Sequence, residues 1–166
     1  SLQIFLSFPI ANACATLVGQ NLGGGRPDRA WGAIRTGYAL ELVAMGAVSL
    51  LLLFARERIV AWFSTDPEVI RIASDYLLFS CASVVISGIY FVSFRALQGA
   101  GDMRAPMLAS LASVLCVALP LSWFLITRTE LGPRAIWISN LAFMATNTLL
   151  ATGWLALGRW ARPSLR

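Results

Sequence analysis

Five stretches of this chain carry no charged side chain: residues 1–25, 42–55, 76–94, 105–127 and 135–158. A hydrocarbon core about 30 Å thick takes roughly 20 apolar residues of helix to cross. Four of the stretches are long enough alone. The 42–55 run reaches that length when counted from Thr36 to Phe54 with Glu41 inside it. The pattern predicts five transmembrane helices, at about 2–20, 36–54, 76–97, 107–127 and 135–157. Most lack the broad polar face that a soluble helix turns to water, which argues against a soluble helical protein.

The connectors between these helices are short and sharply punctuated. Gly23-Gly24-Gly25-Arg26-Pro27 ends the first helix, because no helix continues through such a run. Thr65-Asp66-Pro67-Glu68 predicts a helix start, with Thr65 as N-cap, Pro67 at the first helical position and Glu68 closing a capping box. That start predicts a short interfacial lead-in over about 67–75, running into the third span. Gly99-Ala100-Gly101-Asp102 closes the third helix and Pro106 opens the fourth. There is no long linker, so residues 1–166 read as one unit.

Composition sharpens this picture. The chain is 58% hydrophobic and 13% charged, about half the ~25% charge of a soluble domain. All 13 basic residues are arginine. One side of the predicted bundle collects Arg26, Arg29, Arg35, Arg95, Arg104, Arg159, Arg162 and Arg166, and the other Arg56, Arg58, Arg71, Arg128 and Arg134. The positive-inside rule makes the first side cytoplasmic, with the C-terminus inside and the start of the chain outside. The net charge of +5 therefore reads as membrane orientation, and no basic patch interleaved with aromatics points to nucleic acid. Trp31, Trp62, Trp137 and Trp160 fall near helix ends, where indole favours the headgroup region. Trp123 and Trp154 lie deeper and are expected to be packing residues.

Soluble-enzyme chemistry is largely absent. The chain has no histidine, the commonest general base and metal ligand. Cys14, Cys81 and Cys116 sit in three different predicted helices without metal-ligand spacing. The glycine run is not followed by the Gly-Lys-Ser/Thr of a phosphate loop. Neither catalytic residues nor a bound cofactor are expected. The first hydrophobic run lacks a basic leader, is interrupted by Gln3, Asn12 and Thr16, and begins at Ser1; the expectation is a piece of a longer chain rather than a signal peptide.

Polar residues recur on single faces of the predicted helices. Tyr76, Ser80, Ser83, Ser87, Tyr90, Phe94 and Gln98 step by three and four along the third span. Asn140, Asn147 and Trp154 repeat every seven residues on the fifth, and Pro9, Asn12, Thr16 and Gln20 share a face of the first. Lipid tails offer polar groups no partner, so such faces turn inward. They serve either close helix packing or a watered cavity. Asn12, Gln20, Tyr90, Asn140 and Asn147 are the cavity-lining candidates. Glu41 lies about 8 Å into its span counted from Thr36. Burial there disfavours the charged form, as proton coupling needs. The preferred reading is structural: Glu41 snorkels, or pairs with Arg35 or another nearby basic group.

Three segments resemble a known family. Ala15-Thr16-Leu17-Val18-Gly19-Gln20-Asn21-Leu22-Gly23-Gly24-Gly25-Arg26-Pro27-Asp28-Arg29-Ala30 looks like the second-helix-and-loop signature of the multidrug and toxic compound extrusion (MATE) transporters. Phe63-Ser64-Thr65-Asp66-Pro67-Glu68-Val69 resembles the loop before the fourth helix of each half. Ala96-Leu97-Gln98-Gly99-Ala100-Gly101-Asp102-Met103-Arg104-Ala105-Pro106-Met107 is similar to the segment closing that helix.

The resemblance implies an all-α integral membrane fold, in which these five helices form most of one six-helix lobe of a twelve-helix, two-lobe transporter. The chain would be the eighth to twelfth helices of the C-terminal lobe, partnered by a preceding helix and an N-terminal lobe and surrounded by the lipid bilayer. The whole would export small organic, cationic or drug-like substrates from a bacterial inner membrane in exchange for Na⁺ or H⁺. Alternating access needs two bundles rocking about a central site, so five helices alone are expected not to transport. Members commonly carry an acid in the seventh or tenth helix. None stands here between Tyr76 and Arg95, so the coupling acid is expected outside this segment, with Glu41 a secondary candidate. Three alternatives stay open. A related exporter of lipid-linked oligosaccharides would want a basic cavity, for which Arg95 is the one candidate. A membrane transferase would want a histidine or a loop acid pair. A non-transporting membrane subunit would move no solute.

Overall fold

The computed structural model describes residues 2–158 and 160, with side chains from Phe5 onward. Gln3's side chain and Arg159, Arg162 and Arg166, used in the sequence reading, lie outside the described residues. The described residues form helices α1 (Leu2–Gly23), α2 (Pro27–Ala61), α3 (Pro67–Gly99), α4 (Arg104–Ser113), α5 (Leu119–Arg128) and α6 (Pro133–Ala156), with a π-helical turn, Val114–Ala118, joining α4 to α5.

Each predicted span falls on one helical rod. Three rods, Pro27–Ala61, Pro67–Gly99 and Arg104–Arg128, are long and apolar enough by length and composition to cross a membrane. α1 and α6, at 22 and 24 residues, reach about 33 and 36 Å at 1.5 Å per residue. α2 begins nine residues before the predicted Thr36, because Pro27 is preset for a first helical position and Arg29 and Arg35 can keep their charges in water on long stems. The lead-in from Pro67 is continuous with the third span.

The cap of α3 differs from the sequence reading. Asp66, not Thr65, is the N-cap, and its Oδ1 accepts the Glu68 backbone N–H at 2.9 Å. A carboxylate at this position also meets the positive end of the helix dipole, which a hydroxyl does less well. The π turn has a local cause. Pro120 brings no N–H, and its ring crowds the carbonyl four residues back, that of Cys116, inside the widened turn.

Two glycine turns at one end of the bundle close in the same way. Gly25 and Gly101 adopt φ of 68° and 79°. Behind them Arg26 N–H reaches Asn21 O at 2.8 Å and Asp102 N–H reaches Leu97 O at 2.9 Å. These are the six-to-one bonds of a Schellman closure, which needs a left-handed residue at the turn.

α1, α2 and α3 pack on one another, α6 lies against α3, and the α4–α5 rod lies mainly against α6. The core gathers Cys14, Val18, Ile34, Val92, Leu97 and Leu155 near the end carrying the glycine turns. Outward faces are apolar: Val43 is 74% exposed on α2, and Leu111, Leu115, Leu119 and Trp123 project from the α4–α5 rod. Trp123 is 67% exposed and so is no packing residue within this chain, contrary to the sequence expectation. A helix that turns such side chains outward is suited to hydrocarbon. Trp154 does pack: its Nε1 donates to Asp102 Oδ2 at 2.9 Å.

Candidate functional site

The polar faces of α3 and α6 meet. Tyr76, Phe79, Ser80, Ser83, Val84 and Ser87 from α3, with Trp137, Asn140 and Met144 from α6, line a cavity of about 140 Å³. Periods of three to four residues on both helices bring these side chains to one seam. Trp137 closes one wall, its ring 5.5 Å from Tyr76 and 5.7 Å from Phe79. The end away from the glycine turns is tied by an ion pair between Arg134 and Asp75. Several serines satisfy themselves on their own helix: Ser80 Oγ donates to Tyr76 O at 3.0 Å and Ser83 Oγ to Phe79 O at 3.2 Å. Serines bonded this way cost the helix little in lipid and still leave lone pairs facing the cavity.

Farther along the seam, Asn147 is buried and its amide lies against the Tyr90 hydroxyl. Its Oδ1 is buried without a hydrogen-bond partner among the described residues. Thr148 Oγ1 crosses to the Ile86 carbonyl at 3.2 Å, fixing the rotation of α6 on α3. The structure therefore brings Tyr90, Asn140 and Asn147 onto one seam.

The other two cavity candidates lie elsewhere. Gln20 is exposed and lines a separate surface hollow with Asn21, Arg26 and Arg29, beside the first glycine turn. Asn12 is half-buried on α1, and its carbonyl accepts the Thr16 hydroxyl at 3.1 Å. Nearby on the α1–α3 contact, Arg95 sits over the Phe8 ring at 4.7 Å and donates to Gln98 Oε1 at 2.6 Å.

Glu41 neither snorkels nor pairs with an arginine. It is fully buried where α1, α2 and α3 meet, and Ser7 Oγ donates to its Oε1. Enclosed on all sides by side chains of three helices, its short carboxylate has no path out to the headgroups. Gly88 of α3 leaves the space: a Cβ there would stand 2.8 Å from Glu41 Cγ and 2.8 Å from Met45 Cγ. Sequence reading misses Ser7 and Gly88, because nothing local links residues on three separate helices. The one available signal is the lone acid inside an apolar run.

Among the described residues there is no cluster of three or more histidine, cysteine or acidic side chains able to hold a metal.

The MatE family profile matches residues 1–124. The chain is 27% identical to the probable multidrug resistance protein NorM of Thermotoga maritima, over 99% of this chain and 36% of that protein. It is 31% identical to the multidrug resistance protein PmpM of Pseudomonas aeruginosa, over 82% of this chain and 30% of that protein. Its fold superposes on the crystal structure of the eukaryotic MATE transporter AtDTX14 with a TM-score of 0.84, at 21% identity, covering 92% of this chain and 34% of that one. The chain thus spans about a third of the length of these relatives. With three quarters of its residues inside the family profile, the chain belongs to the MatE family.

Proposed function

We propose that this chain is most of the C-terminal lobe of a two-lobe secondary transporter that exports small organic, cationic or drug-like compounds in exchange for Na⁺ or H⁺. The observation that carries the reading is the α3–α6 seam. It pairs aromatic walls (Tyr76, Phe79, Trp137) with amide and hydroxyl groups and contains no charged side chain in its lining. Aromatic faces attract organic cations, and neutral polar groups orient a ligand without fixing its identity. Such a surface suits varied amphipathic cations better than one fixed anion. The two bacterial relatives named above are called multidrug resistance proteins, which agrees with this reading.

The orientation follows from charge. Arg26, Arg29 and Arg104 flank the glycine-turn end, which we place in the cytoplasm of a bacterial inner membrane with the C-terminus on the same side. The working protein then requires a preceding helix and a second lobe to supply the opposite wall. The oligosaccharide-exporter alternative is the weaker one here, since Arg95, its one basic candidate, is turned onto Gln98 and Phe8.

The test is reconstitution of the full-length protein in vesicles, with ethidium as probe. Counterflow of ethidium above that of protein-free vesicles supports the reading, and its absence with several unrelated organic cations overturns it.

A further inference from the structure

We infer that the furrow between α2 and α6 is a binding site for a phospholipid with a primary-ammonium head, phosphatidylethanolamine, one of whose acyl chains lies in the furrow. The site needs only a bilayer around the lobe, and not the transport proposed above. α2 and α6 each pack on α3, which leaves a cavity of about 380 Å³ between them. Trp31, Tyr38 and Leu42 form one wall, Thr152 and Leu155 the other, and Ile89 the floor.

The furrow is apolar, and its hydroxyl groups are already satisfied. The Tyr38 hydroxyl is bonded to Ser93 at 2.7 Å, and Thr152 Oγ1 donates to the Thr148 carbonyl at 2.6 Å. Water inside would lack hydrogen-bond partners, and a void would forfeit packing contacts. Hydrocarbon suffers neither penalty, and it is at hand. Val43, next to Leu42, and Leu149, one turn from Thr152, are 74% and 71% exposed. From Trp31 to Leu42 the wall runs about 16 Å at 1.5 Å per residue, half of a hydrocarbon core about 30 Å thick. That is the reach of one acyl chain.

Charge selects the head. Asp28, Trp31, Arg35, Tyr38 and Leu42 step by three and four along α2, so they form one stripe. The stripe leads from the glycine-turn end into the furrow. Asp28 and Arg35 are exposed and have no ion-pair partner among the described residues. Side chains on a helix lean toward its N-terminus, which brings the Arg35 guanidinium toward Trp31, with the Asp28 carboxylate next along the stripe. Trp31 and Trp160, their rings 5.1 Å apart, stand at this mouth, and indole favours the headgroup region. A guanidinium fork matches a phosphate, so the lipid phosphate pairs with Arg35 and the group beyond it meets Asp28. An ethanolamine ammonium donates hydrogen bonds to that carboxylate. A choline has no N–H to donate, and a glycerol head leaves the lipid's net negative charge facing Asp28.

The experiment is native mass spectrometry of the full-length protein titrated with phosphatidylethanolamine, phosphatidylglycerol and phosphatidylcholine of one acyl composition. The wild type should retain phosphatidylethanolamine over both others. Arg35→Gln should weaken its binding about fivefold, the worth of one basic residue near a membrane surface. Asp28→Asn should erase the preference over phosphatidylglycerol. Leu42→Trp fills the furrow and should lower binding with the head residues intact, whereas Val43→Trp, outside the furrow, should not. Phosphatidylglycerol held as well as phosphatidylethanolamine by the wild type, or an unchanged preference in Asp28→Asn, overturns the choice of head. Binding unmoved by Leu42→Trp overturns the furrow. Absence of any retained lipid, as when the preceding helix or a second copy covers the site, overturns the inference altogether.

Discussion

Gly99 of α3 lies so close to Ala15 of α1 that a Cβ on it would stand 2.2 Å from the Ala15 carbonyl oxygen. On the other side of the same crossing, a Cβ on Gly19 would meet the Gly99 carbonyl oxygen at 3.0 Å. Small residues let membrane helices approach backbone to backbone, and close packing is then a main source of cohesion, since lipid tails are as apolar as the side chains.

Gly99→Ala should therefore destabilise the full-length protein by at least about 3 kcal/mol, the upper end for overpacking, because backbone atoms cannot step aside as a side chain can. Gly46→Ala, in the interior of α2 with nothing near its Cβ position, should instead gain about 1 kcal/mol from helix propensity. Thermal unfolding in detergent, followed by size-exclusion chromatography, checks both.

Asp102 joins two elements: its Oδ2 accepts the Trp154 indole N–H at 2.9 Å and its Oδ1 the Ala105 backbone N–H at 3.3 Å. Trp154→Phe removes one of these bonds and should cost about 1–2 kcal/mol; Asp102→Ala removes both and should cost more. The double variant should be less destabilised than the sum of the singles, since the two residues share a bond.

Asn140 and Asn147 should separate under mutation. Asn140 is exposed in the α3–α6 seam, so Asn140→Ala should leave the melting temperature unchanged while altering which drugs the full-length protein exports. Asn147 is 2% exposed and lies against Tyr90, so Asn147→Ala should lower export and also cost about 1–3 kcal/mol. Drug susceptibility of expressing cells, set beside thermal melts, distinguishes the two. Equal susceptibility profiles for both variants and the wild type would remove the seam from the substrate path.

Arg134 and Asp75, at the end of the seam away from the glycine turns, are half- and one-third exposed. Arg134→Ala should cost at most about 1 kcal/mol, because water and salt screen such a pair. A melting experiment at low and high salt should show the difference between variant and wild type shrinking as salt rises.

What is legible in the sequence is set by one dimension of the chain. Runs without charge mark all five rods, because the bilayer demands about 20 apolar residues whatever the packing. The glycine turns at Gly25 and Gly101 are legible for a similar reason, since a left-handed turn is a local event. The repeat of Asn140 and Asn147 places two amides on one face of α6, and the α3 repeat supplies the opposite face. The rotation that brings those faces together depends on contacts such as Thr148 with Ile86, which no spacing encodes. Glu41 is misread from sequence for the same reason. Its burial is set by neighbours on other helices, and its partner Ser7 is 34 residues away. Trp123 reads as core because it sits inside a span, but inside a bilayer the outer face is apolar too.

The most direct test of the whole account concerns that outer face. Trp123, kept as the only tryptophan of the full-length protein, should be strongly quenched in vesicles made with lipid brominated on its acyl chains, and untouched by aqueous iodide. Quenching by iodide without quenching by brominated lipid would put water where hydrocarbon is required, and would contradict the account.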